Sequence, residues 1–158
     1  IAAILHDIGK IHPEFAAVLS KPYDLTPEER ALIETHAARG ADLLRELRSV
    51  QDEVVASIRH HHERYDGNGY PDGLSGQSIP LPARIIMLCD SVNAMLSDRP
   101  YRKALSIDVV RDELRRCSGT QFDPAIVQVV LAKDSLEAAL SLIKDDLQSV
   151  TMEIVPWA

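Results

Sequence analysis

Apolar positions recur at three- and four-residue spacing along most of the chain, the pattern of amphipathic helices packed on a shared core. Residues 1–8, IAAILHDI, are apolar on most faces and read as the end of a buried helix, with Gly9 as its stop. Residues 11–19 are a short, partly apolar stretch that Lys21-Pro22 breaks. Thr26-Pro27-Glu28-Glu29 has capping-box spacing with proline at the first helical position, which predicts a helix from residue 27 to 36 or 38. A separate helix is expected over 41–47, beyond Gly40. Val54, Val55, Ile58 and the histidines at 61 and 62 share helical spacing, so residues 51–63 read as a helix with its histidines at the C-terminal end.

Residues 64–81, rich in Gly, Ser and Pro, form a long loop, and a loop of that length in a compact domain usually carries function. A strongly apolar helix follows over 82–96 and holds one acid, Asp90. Residues 97–105 are a basic loop, Ser106 caps a helix to about 117, and 119–122 is a turn. Asp123-Pro124 starts another helix, and 134–147 reads as the last. Only 150–157 has a weak strand signal, and there is no internal repeat. The fold class is all-α, a bundle of about seven helices.

With 158 residues, 46% of them hydrophobic, the chain fits one domain over 1–149 with a tail at 150–158. The net charge of -7 and pI near 5.3 argue against a nucleic-acid polymer or an anionic membrane as partner. A small anionic ligand stays compatible if metal ions and a few local cations reverse the field at one site. Cys89 and Cys117 lie in apolar helical segments without CxxC spacing and read as buried free thiols in a reducing cytoplasm. No run approaches the ~20 apolar residues of a membrane span, and no signal-peptide pattern opens the chain. The chain starts inside an apolar run without Met, so Ile1 is expected to be a cut boundary.

Chemistry concentrates in HHHERYDGNGYP, residues 60–71. Consecutive histidines are costly for packing alone, and the neutral imidazole is a ligand for Zn, Mn, Fe, Cu or Ni. Asp66-Gly67-Asn68-Gly69 supplies backbone freedom and close approach, and Tyr70-Pro71 stiffens the exit. Asp90 is the sharpest single position: a carboxylate buried in an apolar helix is expensive unless it meets a cation, and a metal is the favoured one. His12 and His60 read as structural, Glu63 and Asp66 as ordering the loop through turn hydrogen bonds, and Met87, Leu88 and Met95 as core.

His61, His62, Glu63, Asp66, Gly67, Gly69, Tyr70 and Pro71 match HHExxDGxGYP, and His6, Asp7, Gly9 and Lys10 match HDxGK. Together they make the chain resemble, over about residues 1–131, the HD-GYP family of metal-dependent HD phosphohydrolases. The resemblance implies a helical bundle with a metal site in its core and hydrolysis of cyclic di-GMP to pGpG, with GMP as a further product. It implies metal ligands at His6, Asp7, His36, His61, His62 and Asp90, where His36 stands in THxxxGAxLL and Asp90 in ARIxxxxD. It implies catalytic roles for Asp7 and Lys10, and substrate contacts at Gly69, Tyr70, Pro71, Arg99 and Arg102. Two or three divalent ions are implied, Fe or Mn ahead of Zn or Ni.

Family members take a further histidine, and in trinuclear cases a glutamate, from a helix upstream of HDxGK, so this chain is expected to hold one metal weakly. An upstream sensory or receiver domain and a GGDEF-type signalling partner are implied in the same way. Asn93 departs from the pattern where many members carry a second Asp, Ala37 where Pro is common, and His12 where an apolar residue or Gly is usual. The residues leave two other readings open. One is a non-catalytic module that binds a cyclic dinucleotide or docks a protein; the other is cyclic GMP-AMP as the substrate.

Overall fold

The computed structural model describes residues 1–21, 25–47, 49–98 and 102–132. The helix expected over 134–147, the strand signal at 150–157, the tail and Arg99 lie outside the described residues. Among the described residues the chain is all helical, with eight α-helical segments and two 3-10 turns. They are α1 (Ala2–Leu5), a 3-10 turn (Ile8–Ile11), α2 (Glu14–Leu19), α3 (Pro27–Glu34), α4 (His36–Arg45), α5 (Asp52–Arg59), a 3-10 turn (Gly76–Ser78), α6 (Leu81–Leu96), α7 (Ile107–Arg116) and α8 (Pro124–Val130). The all-α expectation holds.

Several boundaries fall where local chemistry put them. Thr26 Oγ1 accepts from Glu29 N at 3.3 Å while Glu29 Oε2 accepts from Thr26 N at 3.0 Å, the reciprocal capping box that starts α3. Ser106 caps α7 through Val109 N, and Asp123 caps α8 through Ala125 N at 2.8 Å.

Two expectations are corrected. The chain breaks at Thr35, between α3 and α4, and α4 runs on through Gly40. Gly40 is there for packing: a Cβ on it would meet Gly9 N at 3.0 Å, and a Cβ on Gly9 would stand 2.0 Å from His36 O and 2.7 Å from Gly40 N. The first 3-10 turn therefore lies backbone against backbone on α4, and Gly9 serves that approach rather than a helix stop. The second correction concerns the N-terminus. The run that opens the chain is not buried; α1 is short, and Ile1 and Ile4 are 79% and 84% exposed.

The core has two parts. Ala41, Leu44, Val55 and Ile58 join α4 to α5, with Leu5 and Ile8 packed against them. Leu88, Val92, Val110, Leu114, Cys117, Phe122 and Val127 join α6, α7 and α8. Each fully buried Leu, Ile or Val contributes about 1.5–3 kcal/mol, so the two clusters fix the helices that carry the histidines and Asp90. Met87 and Met95 pack on the second cluster, as expected of core residues. Cys117 is buried, but Cys89 lies on the exposed face of α6, one and two turns beyond exposed Ile85 and Leu81, contrary to the expected burial of both thiols. No helix among the described residues is long and apolar enough to cross a membrane.

Candidate metal centre

Two segments hold the HD pair and the first motif histidine. His6 is the C-terminal residue after α1 and Asp7 leads into the 3-10 turn; His36 opens α4 directly across from that turn, where Gly9 and Gly40 let the backbones meet. The other two histidines, His61 and His62, follow the end of α5. Asp7, His36, His61 and His62 each offer a ligand atom, and these atoms all lie within 4.8 Å of one another.

Tautomers are set by the backbone. His6 Nδ1 donates to Ala3 O at 2.9 Å, His36 Nδ1 to Ile33 O at 2.6 Å and His61 Nδ1 to Ile58 O at 2.6 Å, because a carbonyl only accepts. In each neutral ring Nε2 is then a bare lone pair aimed inward. His36 Nε2 and His61 Nε2 stand 3.2 Å apart, and Asp7 Oδ1 is 3.2 Å from the first and 4.0 Å from the second. Three acceptors thus face one point without a donor between them, and Asp7 Oδ1 is buried with no hydrogen-bond partner. A cation resolves that arrangement. Two nitrogens 3.2 Å apart fit one ion with bonds of about 2.1 Å, so the residues fit a divalent metal.

On its other side Asp7 faces a second set. Its Oδ2 accepts from Lys10 Nζ at 2.7 Å and lies 3.8 Å from His6 Nε2, which is 3.9 Å from Asp90 Oδ1. The Asp7 carboxylate therefore stands between the His36–His61 pair and the His6–Asp90 pair. Asp90, expected to be buried against a cation, has a side chain 40% exposed, and its Oδ1 stands 3.9 Å from His6 Nε2.

Burial would raise the Asp7 carboxyl, yet the Lys10 ammonium that donates to its Oδ2 holds it well below the usual carboxylate range. Burial drives His61 down to about 4 and His62 down to about 2, with the neighbouring rings adding to it. These rings stay neutral and available as ligands at neutral pH.

The loop closes over this centre. Tyr70 stacks on His62 with ring centroids 4.8 Å apart, and Tyr70 N donates to His62 O at 3.3 Å. Gly67 has φ +82, a left-handed turn, whereas Gly69 is there for space: a Cβ would stand 2.2 Å from Arg64 N and 2.6 Å from Glu63 Cα. The Tyr70-Pro71 peptide is cis. Asp66 Oδ1 accepts from Asn68 N at 3.0 Å, and buried Glu63 accepts from Asp72 N at 2.7 Å, so both acids order the loop as expected.

Sequence reasoning missed the clasp beside it: Arg59 donates twice to Asp72, at 2.8 Å each, and His60 Nε2 donates to Asp72 Oδ2 at 2.9 Å. Complementary charges flanking the loop were the available signal. His60 is structural, as read. Arg102, expected at a phosphate, donates instead to Ala94 O at 2.9 Å, Met95 O at 3.3 Å and Lys103 O at 3.1 Å, closing the C-terminal end of α6. Asn93 is exposed on α6. His12 packs edge-on against Phe15, 6.5 Å between centroids.

Comparison with known proteins agrees with this geometry. The HD domain family model matches residues 1–126. The chain is 44% identical over 134 residues to the cyclic di-GMP phosphodiesterase response regulator RpfG of Xanthomonas campestris, covering 83% of this chain and 35% of RpfG. It is 39% identical to a cyclic di-GMP phosphodiesterase of Thermotoga maritima, covering 82% of this chain and 35% of that protein. The chain thus spans about a third of the length of these relatives. The crystal structure of a cyclic GMP-AMP specific phosphodiesterase of Vibrio cholerae superposes with a TM-score of 0.59 at 27% identity, over 84% of this chain and 31% of that one. With HDxGK and HHExxDGxGYP meeting at one His and Asp cluster on an all-helical scaffold, the chain belongs to the HD domain family, in its HD-GYP branch.

Proposed function

We propose that the chain is the catalytic part of a metal-dependent phosphodiesterase that hydrolyses cyclic di-GMP to pGpG, with GMP from a second cleavage. The observation that carries it is the Asp7 carboxylate set between two groups of ligands, one oxygen toward His36 and His61 and the other toward His6 and Lys10. With metal bound, Asp7, His36, His61 and His62 would hold one divalent ion, and His6 and Asp90 beside Asp7 would hold a second. Mixed imidazole and carboxylate donors suit Fe or Mn, and Zn or Ni after them. Bound ions of this kind activate a water and neutralise charge on the phosphoryl oxygens.

The remaining work falls to the chain's own residues. In the overall reaction the water oxygen bonds to phosphorus, the bond from phosphorus to the ribose O3′ breaks, and that O3′ takes a proton. Lys10 Nζ is placed beside Asp7 to donate to an oxygen of the reacting phosphate and to stabilise the charge that develops there. The ring of Tyr70, with Gly69 and Pro71, forms the wall against which the nucleotide lies, and its stacking on His62 fixes that wall to the metal centre.

Cyclic di-GMP is favoured over cyclic GMP-AMP because the relatives sharing 37–44% identity are named for the first, while those named for the second share 35–36%. RpfG is named a response regulator, and on that likeness we infer that the activity answers to a separate receiving domain, with a GGDEF-type protein as the expected partner.

The test is chromatography of nucleotides after incubating the Fe(II)- or Mn(II)-loaded protein with each cyclic dinucleotide. Production of pGpG that disappears in Asp7→Ala supports the reading. Intact substrate at full metal occupancy would shift it to a binding module.

A further inference from the structure

We propose that Arg30, on α3, holds the second phosphate of the cyclic dinucleotide, the one not being cleaved, at the mouth of the metal centre. The proposal rests on the phosphodiesterase reading and adds a substrate contact to it.

A ligand with two phosphates brings two negative charges to a site that already holds the Asp7 and Asp90 carboxylates, 3.8 and 3.9 Å from His6 Nε2. Metal ions and Lys10 answer the phosphate at the reacting position; the other one needs its own cation. The candidate positions named by motif do not supply it among the described residues, because Arg102 spends its guanidinium on three carbonyls. The other described cations are engaged too, for example Arg39 with Glu14, Arg59 with Asp72, Arg84 with Asp123 and Lys21 with Glu29. Among the described residues, Arg30 is the one lysine or arginine side chain with neither an ion pair nor a hydrogen bond. Glu34 stands one turn further along the same face of α3, four residues on, and the two do not pair. Because Arg30 is unpaired, a phosphate that binds it breaks no ion pair of the protein.

Placement agrees. The Ile33 carbonyl of α3 receives the His36 Nδ1 proton at 2.6 Å, so the C-terminal end of that helix abuts a metal ligand. Arg30 is three residues earlier, about 5 Å along the axis, and an arginine side chain spans that distance. Tyr70 marks the same spot from the loop side. Its ring stacks on His62 with centroids 4.8 Å apart, and the charges of Glu34, Asp7, Asp90 and the Arg30 guanidinium all act on its hydroxyl. The guanidinium fork suits a phosphate held by two oxygens, a geometry that lysine reproduces only as a point charge.

The experiment compares wild type, Arg30→Gln and Arg30→Lys, all Mn(II)-loaded, on cyclic di-GMP and on bis(p-nitrophenyl) phosphate, a diester with a single phosphate. Expected in Arg30→Gln is a KM for cyclic di-GMP raised about tenfold or more, a loss at least fivefold larger than on the small diester, with partial recovery in Arg30→Lys. Circular dichroism and the Mn(II) dissociation constant control for folding and for the centre itself. Equal fold-losses on the two substrates, or an unchanged KM, would overturn the Arg30 contact while leaving the phosphodiesterase intact. If loaded wild type cleaves the small diester but no cyclic dinucleotide, the functional reading falls and the Arg30 proposal with it.

Discussion

At the scale of single residues, three of the histidines at the centre, His6, His36 and His61, have their Nδ1 protons committed to the carbonyls of Ala3, Ile33 and Ile58. Each lies three residues after its acceptor, so the end of a helix both positions and orients the ring. The same burial that frees Nε2 for metal makes protonation costly. His61 is pushed down to about 4 and His62 to about 2, against an ordinary value near 6.5. For a histidine lowered in the folded state, the unfolded chain binds the proton first as pH falls. Stability from these two rings is therefore complete above about pH 6.5 and drains away below it, to about pH 4 for His61 and about pH 2 for His62, by up to ~1.4 kcal/mol per pH unit for each ring. The depressed Asp7 carboxyl works in the same direction at lower pH, its contribution being lost as pH falls through the acid range. Urea unfolding of the chelated protein is expected to show about 2–4 kcal/mol less stability at pH 5 than at pH 7. Equal stability at the two pH values would mean that the rings are not held neutral by burial.

Between elements, the decisive contact is the crossing of the first 3-10 turn on α4. A Cβ at Gly9 would stand 2.0 Å from His36 O, a backbone atom that cannot swing aside. Gly9→Ala is thus expected to lower stability by about 2–3 kcal/mol and to weaken Mn(II) binding, since the turn carrying Asp7 moves away from His36. Gly76→Ala, where a Cβ meets nothing within 4 Å but φ is +54, should leave Mn(II) binding untouched; similar metal losses in both would contradict the packing argument.

The same crossing shows what the sequence could tell. Gly9 and Gly40 are visible as punctuation, and local rules assign them to helix ends, yet both answer to a contact between segments 31 residues apart in number. The capping box at Thr26, the caps at Ser106 and Asp123, and the clustering of Asp7, His36, His61 and His62 were legible because each depends on near neighbours or on motif spacing. Arg102 was assigned through the family resemblance, and its carbonyl partners at the end of α6 appear only once the chain is folded. The exposure of Asp90 and Cys89 was hidden for a related reason: α6 is apolar on average, and which of its faces is covered depends on α7 and α8.

Across the described residues the candidate metal centre lies on the segments joined by the smaller apolar cluster. The clustered Asp7, His36, His61 and His62 come from the turn after α1, the start of α4 and the end of α5, with His6 and Asp90 alongside, whereas the larger apolar cluster joins α6, α7 and α8 without them. An ion at the centre therefore ties together segments that hydrophobic contacts join only in part, and it leaves the α7–α8 side as it was. Binding of Mn(II) at a hundred times its dissociation constant adds about 2.7 kcal/mol to folding, which for a chain of this size raises the melting temperature by roughly 5–10 °C. Hydrogen exchange should slow at residues 6–10, 36–45 and 58–63 on loading, with little change at 107–130. Asp7→Asn keeps the shape but loses the charge between the two ligand groups, so it should abolish most of the thermal shift. A shift of wild-type size in Asp7→Asn, or protection spread evenly through α7 and α8, would show that the ion stabilises the protein from somewhere other than this cluster.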